Sequence, residues 1–334
     1  MQTNTHALIQ DLRRHDHNAA ALAGLTKEGM VGLRSRIALK IKRGNTACDS
    51  RMHYPVYRAW HPAEVVQEVV KRFKPDIVIV QTGATVSLAK AFVAEMVPTI
   101  IYLHDVQYEE HAGDIGNLTN VSFIANSQFV ASRYHKDFGI HASVLNPLFH
   151  EQDYKTSTGL SVTFINPIPL KGVDLVCDIC ALCPDIPFQF VRAWSNSGQD
   201  EEKLHRRLKS LRNVTLCSST LDMKTIYRDT RILLVPSRCE EAWGRVASEA
   251  QFSGIPVLAT SCGGLPEAVG PGGKLFLPEA KAEDWAAVLK EIWNDQDYYE
   301  FLRAAAFAHS KRPELDPVAL VTSFIDILQQ RISR

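Results

Sequence analysis

The chain has 334 residues, 46% hydrophobic and 22% charged, which is ordinary for a globular protein and long enough for two domains. Its 37 Lys and Arg balance 37 Asp and Glu, so no nucleic-acid partner held by bulk charge is expected. No apolar run nears the roughly 20 residues of a membrane span, and the polar opening MQTNTHALIQ has no signal-peptide h-region, so a cytoplasmic protein is expected.

Strands and helices alternate along the first half, which predicts parallel sheets. HALIQDLRRH reads as a helix and AAALAGL as the strand after it. Leu33–Arg43 is basic and amphipathic: Leu33, Ile37 and Ile41 recur every fourth residue among five cations. Such a helix either lies on an anionic membrane or grips an anionic acceptor, or it packs its apolar stripe on the domain. HPAEVVQEVVKRF is a helix, DIVIVQ a strand, VSLAKAFVAEM a helix and TIIYLHD a strand ending in His104 and Asp105. That end is where open α/β sheets place ligands. VSFIAN, SQFVASRYHKDFG and ASVLNP complete the half as strand, helix, strand. The polar stretch 150–159, HEQDYKTSTG, reads as a linker between a first domain, 1–149, and a second, 160–312.

The second half restarts with SVTFIN as a strand and KGVDLVCDICALC as a helix. Cys177, Cys180 and Cys183 look like a metal-binding run, but they trace one stripe of that helix and find no fourth ligand at suitable spacing. They are expected to be buried thiols. FQFVRA, EEKLHRRLKSL and NVTLCS follow as strand, helix, strand. Asp295-Gln296-Asp297 spells D-x-D, yet Asp295 sits where a helix N-cap belongs, so no metal ligand is expected there. Residues 313–334 form an amphipathic C-terminal helix.

Residues 236–267, PSRCEEAWGRVASEAQFSGIPVLATSCGGLPE, are the most informative. The apolar run Ile232–Val235 ends at Pro236, and Gly244 turns the chain into a helix. Glu241 therefore lies in a loop and Glu249 on the helix that follows. Carboxylates accept paired hydrogen bonds from vicinal hydroxyls, which suits sugars and riboses. A second strand, Ile255–Ala259, ends in Gly263-Gly264-Leu265-Pro266-Glu267, where a backbone can approach a ligand closely.

This pattern resembles the donor-binding signature of retaining glycosyltransferases of family four. The resemblance implies an α/β protein of the GT-B fold, with two Rossmann-like parallel-sheet domains facing a cleft and the C-terminal helix returning to the first. It implies transfer of a sugar from a nucleotide-diphosphate sugar to a hydroxyl of a glycan or lipid-linked acceptor, with no cofactor and no metal. Glu249 would hold the ribose and Glu241 the hydroxyls of the transferred sugar. The backbone of Ala242, Trp243, Gly244 and Arg245 would support that sugar, with Gly263 and Gly264 beside it. Lys171 and Gly172 would bind the diphosphate, and His104 would lie near the transferred sugar. His104, Glu241 and Lys171 are thus the expected catalytic residues.

Two departures stand out. Family members open with a strand and a glycine-rich loop before the first helix; here Met1–Thr5 already reads as a helix N-terminus, so the first domain is expected to lack its first strand. The family also carries an arginine shortly before the Lys-Gly pair, where this chain has Asn166 or a neighbour. Arg245, or less well Arg192, would have to supply the second cation. These departures keep open a non-catalytic nucleotide-sugar-binding subunit on the same fold.

Overall fold

The computed structural model describes residues 2–26, 29–42, 44–81, 83–193 and 197–333. Contacts divide the chain into two units. The first comprises Met1–Asn126, Val130–Leu148 and Val318–Arg334; the second comprises Ser127–Phe129 and Phe149–Pro317.

The first unit runs α1 (Gln2–Arg14), β1 (Ala21–Gly24), α2 (Gly29–Lys42), β2 (Ala47–Asp49), β3 (Val56–Ala59), α3 (Val66–Phe73), β4 (Val78–Val80), α4 (Thr85–Ala94), β5 (Thr99–Leu103), β6 (Val121–Ala125), α5 (Gln128–Phe138) from Val130 on, and β7 (Ala142–Val144). Its strands fall into two sheets, ordered β1-β3-β2 and β4-β5-β6-β7. Among the described residues β1 pairs only with β3, and β4 only with β5. Gln2–Asn4 open α1, in line with the helix N-terminus read there in the sequence.

Packing on α1 joins what hydrogen bonds do not. Leu8 and Leu12 pack with Ile100, Tyr102 and Ile124 of the four-stranded sheet. Ile9, on another side of the helix, packs with Tyr54 and with Val56 of β3. From Val318 on, the last helix belongs to this unit, and its Leu320, Val321, Phe324 and Leu328 join the Leu8 cluster.

The second unit runs β8 (Ser161–Ile165), α6 (Val173–Leu182), β9 (Phe188–Val191), α7 (Gly198–Leu208), β10 (Val214–Cys217), α8 (Met223–Tyr227), β11 (Thr230–Val235), α9 (Arg245–Gln251), β12 (Val257–Thr260), α10 (Leu265–Val269), β13 (Gly273–Phe276), α11 (Ala282–Asn294), α12 (Gln296–Ser310) and the start of α13 (Pro317–Ile332). Its six strands make one parallel sheet, β10-β9-β8-β11-β12-β13. Both faces are covered, as a parallel sheet requires. Ile232 and Leu234 of β11 enter one core with α6 and α11, while Leu233 and Val235 enter the other with α9. Period-two alternation with both sets buried is why this strand reads as a continuous apolar run.

The stretch 150–159 is not a free linker. It lies within the second unit, a short 3-10 turn spans Glu151–Asp153, and Tyr154 is buried against Phe149 and Phe252. A single aromatic in a polar decapeptide provides the anchor, and no periodicity announces it. Among the described residues no helix is long and apolar enough to cross a membrane.

Candidate functional site

Strand order in the second sheet reverses between β8 and β11: the chain builds outward from β8 to β9 and β10, then from β11 to β12 and β13. The crevice beyond the carboxyl ends of two such strands is where open α/β sheets bind ligands. Three loops with expected site residues leave the sheet at or beside this point. Asn166–Gly172 follows β8, Pro236–Gly244 follows β11, and Ser261–Gly264 follows β12. The first two are tied directly, since the Arg238 amide donates to the Leu170 carbonyl at 2.9 Å.

Lys171 and Glu241, 70 residues apart in sequence, meet here. The Lys171 ammonium bonds to Oε1 of Glu241 in a salt bridge whose two side chains are 16% and 17% exposed. Ser237 donates to the same oxygen at 2.6 Å. Two donors on one carboxylate oxygen fix its direction and leave Oε2 with further acceptor capacity.

Glycines make the approach of these loops possible. Gly172 has φ +83°, and a Cβ there would collide with the Pro236 carbonyl oxygen. Gly263 has φ +58°, and a Cβ would collide with the backbone of Glu241. The Gly264 amide donates to the Glu241 carbonyl at 2.6 Å. The GGLPE loop thus forms the floor under the Glu241–Gly244 loop, and Gly244, at φ +90° against Leu265, starts α9.

Glu249 sits one turn into α9 and is almost fully buried. Tyr227 donates to its Oε2 at 2.9 Å, and Arg245 Nε lies 3.3 Å from Oε1. Burial, then the Glu249 charge, pushes the Tyr227 phenol well above its ordinary pKa. The same two causes push Tyr154 up to about 12. Both phenols are therefore protonated donors at neutral pH. Trp243 is buried under the loop, with Nε1 donating to Ser248 Oγ at 3.0 Å. Ala242 and Trp243 contribute backbone to the site rather than an exposed ring.

Both expected substitute cations are paired with carboxylates of their own. Arg245 donates to the Tyr154 hydroxyl at 3.2 Å, lies over the Phe149 ring at 4.3 Å and pairs with Glu249. Position i to i+4 on one helix delivers it to Glu249 rather than to the loop. Arg192 pairs with Glu201 of α7. Asn166 is buried at the end of β8 in the left-handed region, φ +66°, and its amide donates to the Val191 carbonyl at 2.7 Å. Asn tolerates that conformation better than most residues, so its place is explained by the turn.

His104 belongs to the first unit, one residue past β5. Its ring lies 4.1 Å from that of Tyr102, and Nε2 bonds to Gln81 Oε1 at 2.9 Å. Thr5 donates to the same Gln81 oxygen at 2.9 Å. Cys177 and Cys180 of α6 and Cys183 just past its end are buried in the core, where burial raises each thiol above its ordinary pKa. Asp295 caps α12, accepting from the Tyr298 amide at 2.9 Å. Among the described residues no group of three or more His, Cys, Asp or Glu converges as a metal site would.

Three residues that order this site were not singled out in the sequence. Ser237 carried a usable signal, since it directly follows Pro236 at a strand end four residues before Glu241. Tyr227 and Tyr154 carried none, because they reach Glu249 and Arg245 only through the fold.

Residues 160–295 match the family model described as Glycosyl transferases group 1. The D-inositol 3-phosphate glycosyltransferase of Mycobacteroides abscessus is 34% identical over 139 residues, 39% of this chain and 31% of that relative. The enzyme of the same name from Jonesia denitrificans is 32% identical over 164 residues, 45% of this chain and 38% of that one. The matched segment thus spans about a third of the length of these curated relatives. Among solved structures, Anabaena Alr3699/HepE in complex with UDP-glucose superposes with a TM-score of 0.79 at 21% identity, covering 98% of this chain and 95% of that one. A glycosyltransferase from Rickettsia africae gives 0.75 at 15% identity, covering 99% and 94%. The fold is GT-B, and the likeness of the second half to group 1 glycosyltransferases holds over residues 160–295.

Proposed function

We propose that the second unit binds a nucleoside-diphosphate sugar at the β8/β11 switch point and that the chain transfers the sugar, with retention, to a hydroxyl of a glycan or lipid-linked acceptor. The observation that carries this reading is the meeting of Lys171, Ser237 and Glu241 on the glycine floor. Glu241 neutralises Lys171. An incoming diphosphate competes for the ammonium, and Glu241 is released to accept sugar hydroxyls. As the sugar leaves, charge builds on the diphosphate, and the ammonium stabilises it where it forms. Retention follows if the acceptor hydroxyl enters on the face from which the phosphate departs, the phosphate taking its proton. Glu249, preset by Tyr227 and Arg245, is the ribose acceptor in this scheme.

The Anabaena protein of this fold holds UDP-glucose, so uridine donors head the panel to test. Calorimetric titration with uridine, guanosine and adenosine diphosphates and their glucose conjugates is expected to find at least one binder. Glu249→Gln is expected to weaken it by about 1.5–3 kcal/mol, the range for a hydrogen bond to a charged group. Binding and transfer are expected to persist in chelator, because Lys171 meets the phosphate charge; a strict requirement for magnesium or manganese would overturn that part. Failure of every nucleotide to bind would overturn the donor site itself.

A second reading, a binding-only subunit, rests on one observation: the two arginines that could replace the family's missing cation, Arg245 and Arg192, pair with Glu249 and Glu201. Mass spectrometry of donor incubated with water and with simple acceptors separates the two. Binding without hydrolysis or transfer would favour the subunit.

A further inference from the structure

α2 is amphipathic in an unusual sense: its small and polar side faces the protein. Ser35 is buried, and a Cβ on Gly32 would collide with the Thr26 carbonyl oxygen. The opposite side is apolar and open. Met30, Leu33 and Ile37 recur at i, i+3 and i+7, which places them on one helical face. They are 59%, 43% and 47% exposed, and none of them joins the clusters built around Leu8, Tyr57 and Ile9. The sequence left open whether this stripe packs on the domain; the exposures leave nearly half of Leu33 and of Ile37 open to solvent. Arg34 and Lys40 are exposed on the same helix. Residues 29–43 hold five cations and no acid in a chain whose net charge is zero. Arg43 lies outside the described residues, and only the backbone of Ile41 and Lys42 is described. Trp60, 45% exposed, follows Ala59, which is paired with Gly24 at the sheet end from which the chain leads into α2. The Leu25 amide donates to the Ala59 carbonyl there at 2.8 Å.

We propose that α2 docks this protein onto a bilayer surface rich in anionic phospholipid, with Met30, Leu33 and Ile37 entering the acyl boundary and Arg34 and Lys40 resting on the head groups. An apolar stripe bordered by cations, with an aromatic near it, is the composition that gains from both parts of that interface. Charge argues against a second copy of the chain as the occupant. A two-fold contact would bring two acid-free cationic helices together, and like charges facing each other repel. The proposal is independent of the donor site, since no residue of the second unit enters it.

The test is co-sedimentation with vesicles of phosphatidylcholine alone and of phosphatidylcholine with phosphatidylglycerol. It compares the wild type with Leu33→Gln/Ile37→Gln and with Arg34→Glu/Lys40→Glu. The wild type is expected to partition onto the mixed vesicles at least about 10-fold better than onto the neutral ones, the preference falling as salt rises. Each double variant is expected to lose about 10-fold or more on the mixed vesicles. The altered side chains are exposed, so unchanged thermal melting is the control for folding. Equal partitioning onto both vesicle types, or variants that sediment like the wild type, would overturn the proposal. So would a stable dimer in light scattering that both variants abolish, since it would identify a second copy as the occupant.

Discussion

The second unit carries six parallel strands in a single ladder, whereas the first divides its strands between sheets of three and four. In the second unit β8 and β11 are each paired on both sides, and every loop of the candidate donor site rises from strands held in that ladder. In the first unit β1 and β4 each have one partner among the described residues, and side-chain packing on α1 connects the two sheets. Backbone hydrogen bonds are directional and fix register, while apolar contact is non-directional and tolerates sliding. The unit that must hold Lys171, Ser237 and Glu241 within hydrogen-bond range is the one built on the continuous ladder.

Hydrogen exchange offers the largest effect by which to break this contrast. The amides of β1 and β4 are expected to open at free energies about 3 kcal/mol or more below those of β8, β11 and β12, because strands at open edges exchange by local rather than global opening. Equal protection in the two sets would show that α1 packing holds the divided sheets as firmly as a ladder does.

Glycine substitutions sharpen the comparison at single residues. Gly172→Ala in the second unit meets both a left-handed φ and the Pro236 carbonyl, and is expected to cost about 2–4 kcal/mol and to abolish nucleotide binding. Gly139→Ala in the first unit has the same left-handed backbone, φ +68°, but nothing within 4 Å, and is expected to cost about 1 kcal/mol. Calorimetric melting measures both. Equal costs would mean that the loop before α6 relaxes away from Pro236.

Most of this architecture was legible in the sequence, for reasons that particular elements show. β11 and β12 announced themselves because both faces of each are buried, leaving long apolar runs. Lys171, Glu241 and Glu249 were legible because the glycines that bring their loops together are themselves a pattern. Arg245, offered as a second cation for the diphosphate, lies four residues from Glu241 and four from Glu249, and the helix starting at Gly244 sets it beside Glu249. The polar stretch 150–159 concealed Tyr154 for the same reason that Tyr227 was missed: a lone aromatic reports burial only through partners distant in sequence.

Acid offers a smaller test, confined to the second unit. Burial, then the charge of Arg312, holds the His309 imidazole below its ordinary pKa, while the carbonyl of Glu267 accepts from the ring at 3.2 Å and Glu314 pulls the other way. A lowered folded-state pKa means that the unfolded chain takes up its proton first. The stability from His309 is therefore complete above about pH 6.5 and is lost as pH falls from there. The melting temperature of the wild type is expected to fall between pH 7 and pH 5.5 more steeply than that of His309→Gln. Parallel slopes would show that carboxylates elsewhere dominate this window.

Helix caps give the finest comparison. In the second unit side chains cap α7, α8 and α12: Ser197 accepts from the Asp200 amide at 3.1 Å, Asp222 from Lys224 at 3.1 Å and Asp295 from Tyr298 at 2.9 Å. In the first unit the N-cap of α4 is Ala84, which has φ +50° and makes no side-chain cap. Asp295→Ala is expected to cost about 1 kcal/mol, with Asp295→Asn close to neutral, because the cap needs an oxygen acceptor more than a charge. At Ala84 the sign reverses. Asn tolerates the left-handed region and can accept from the first turn, so Ala84→Asn is expected to gain about 0.5 kcal/mol. Denaturant melts followed by a probe in each unit read both changes. A loss at Ala84→Asn would mean that the turn into α4 is held by neighbours that an added side chain disturbs, and that the first unit is less slack at this point than its divided sheets suggest.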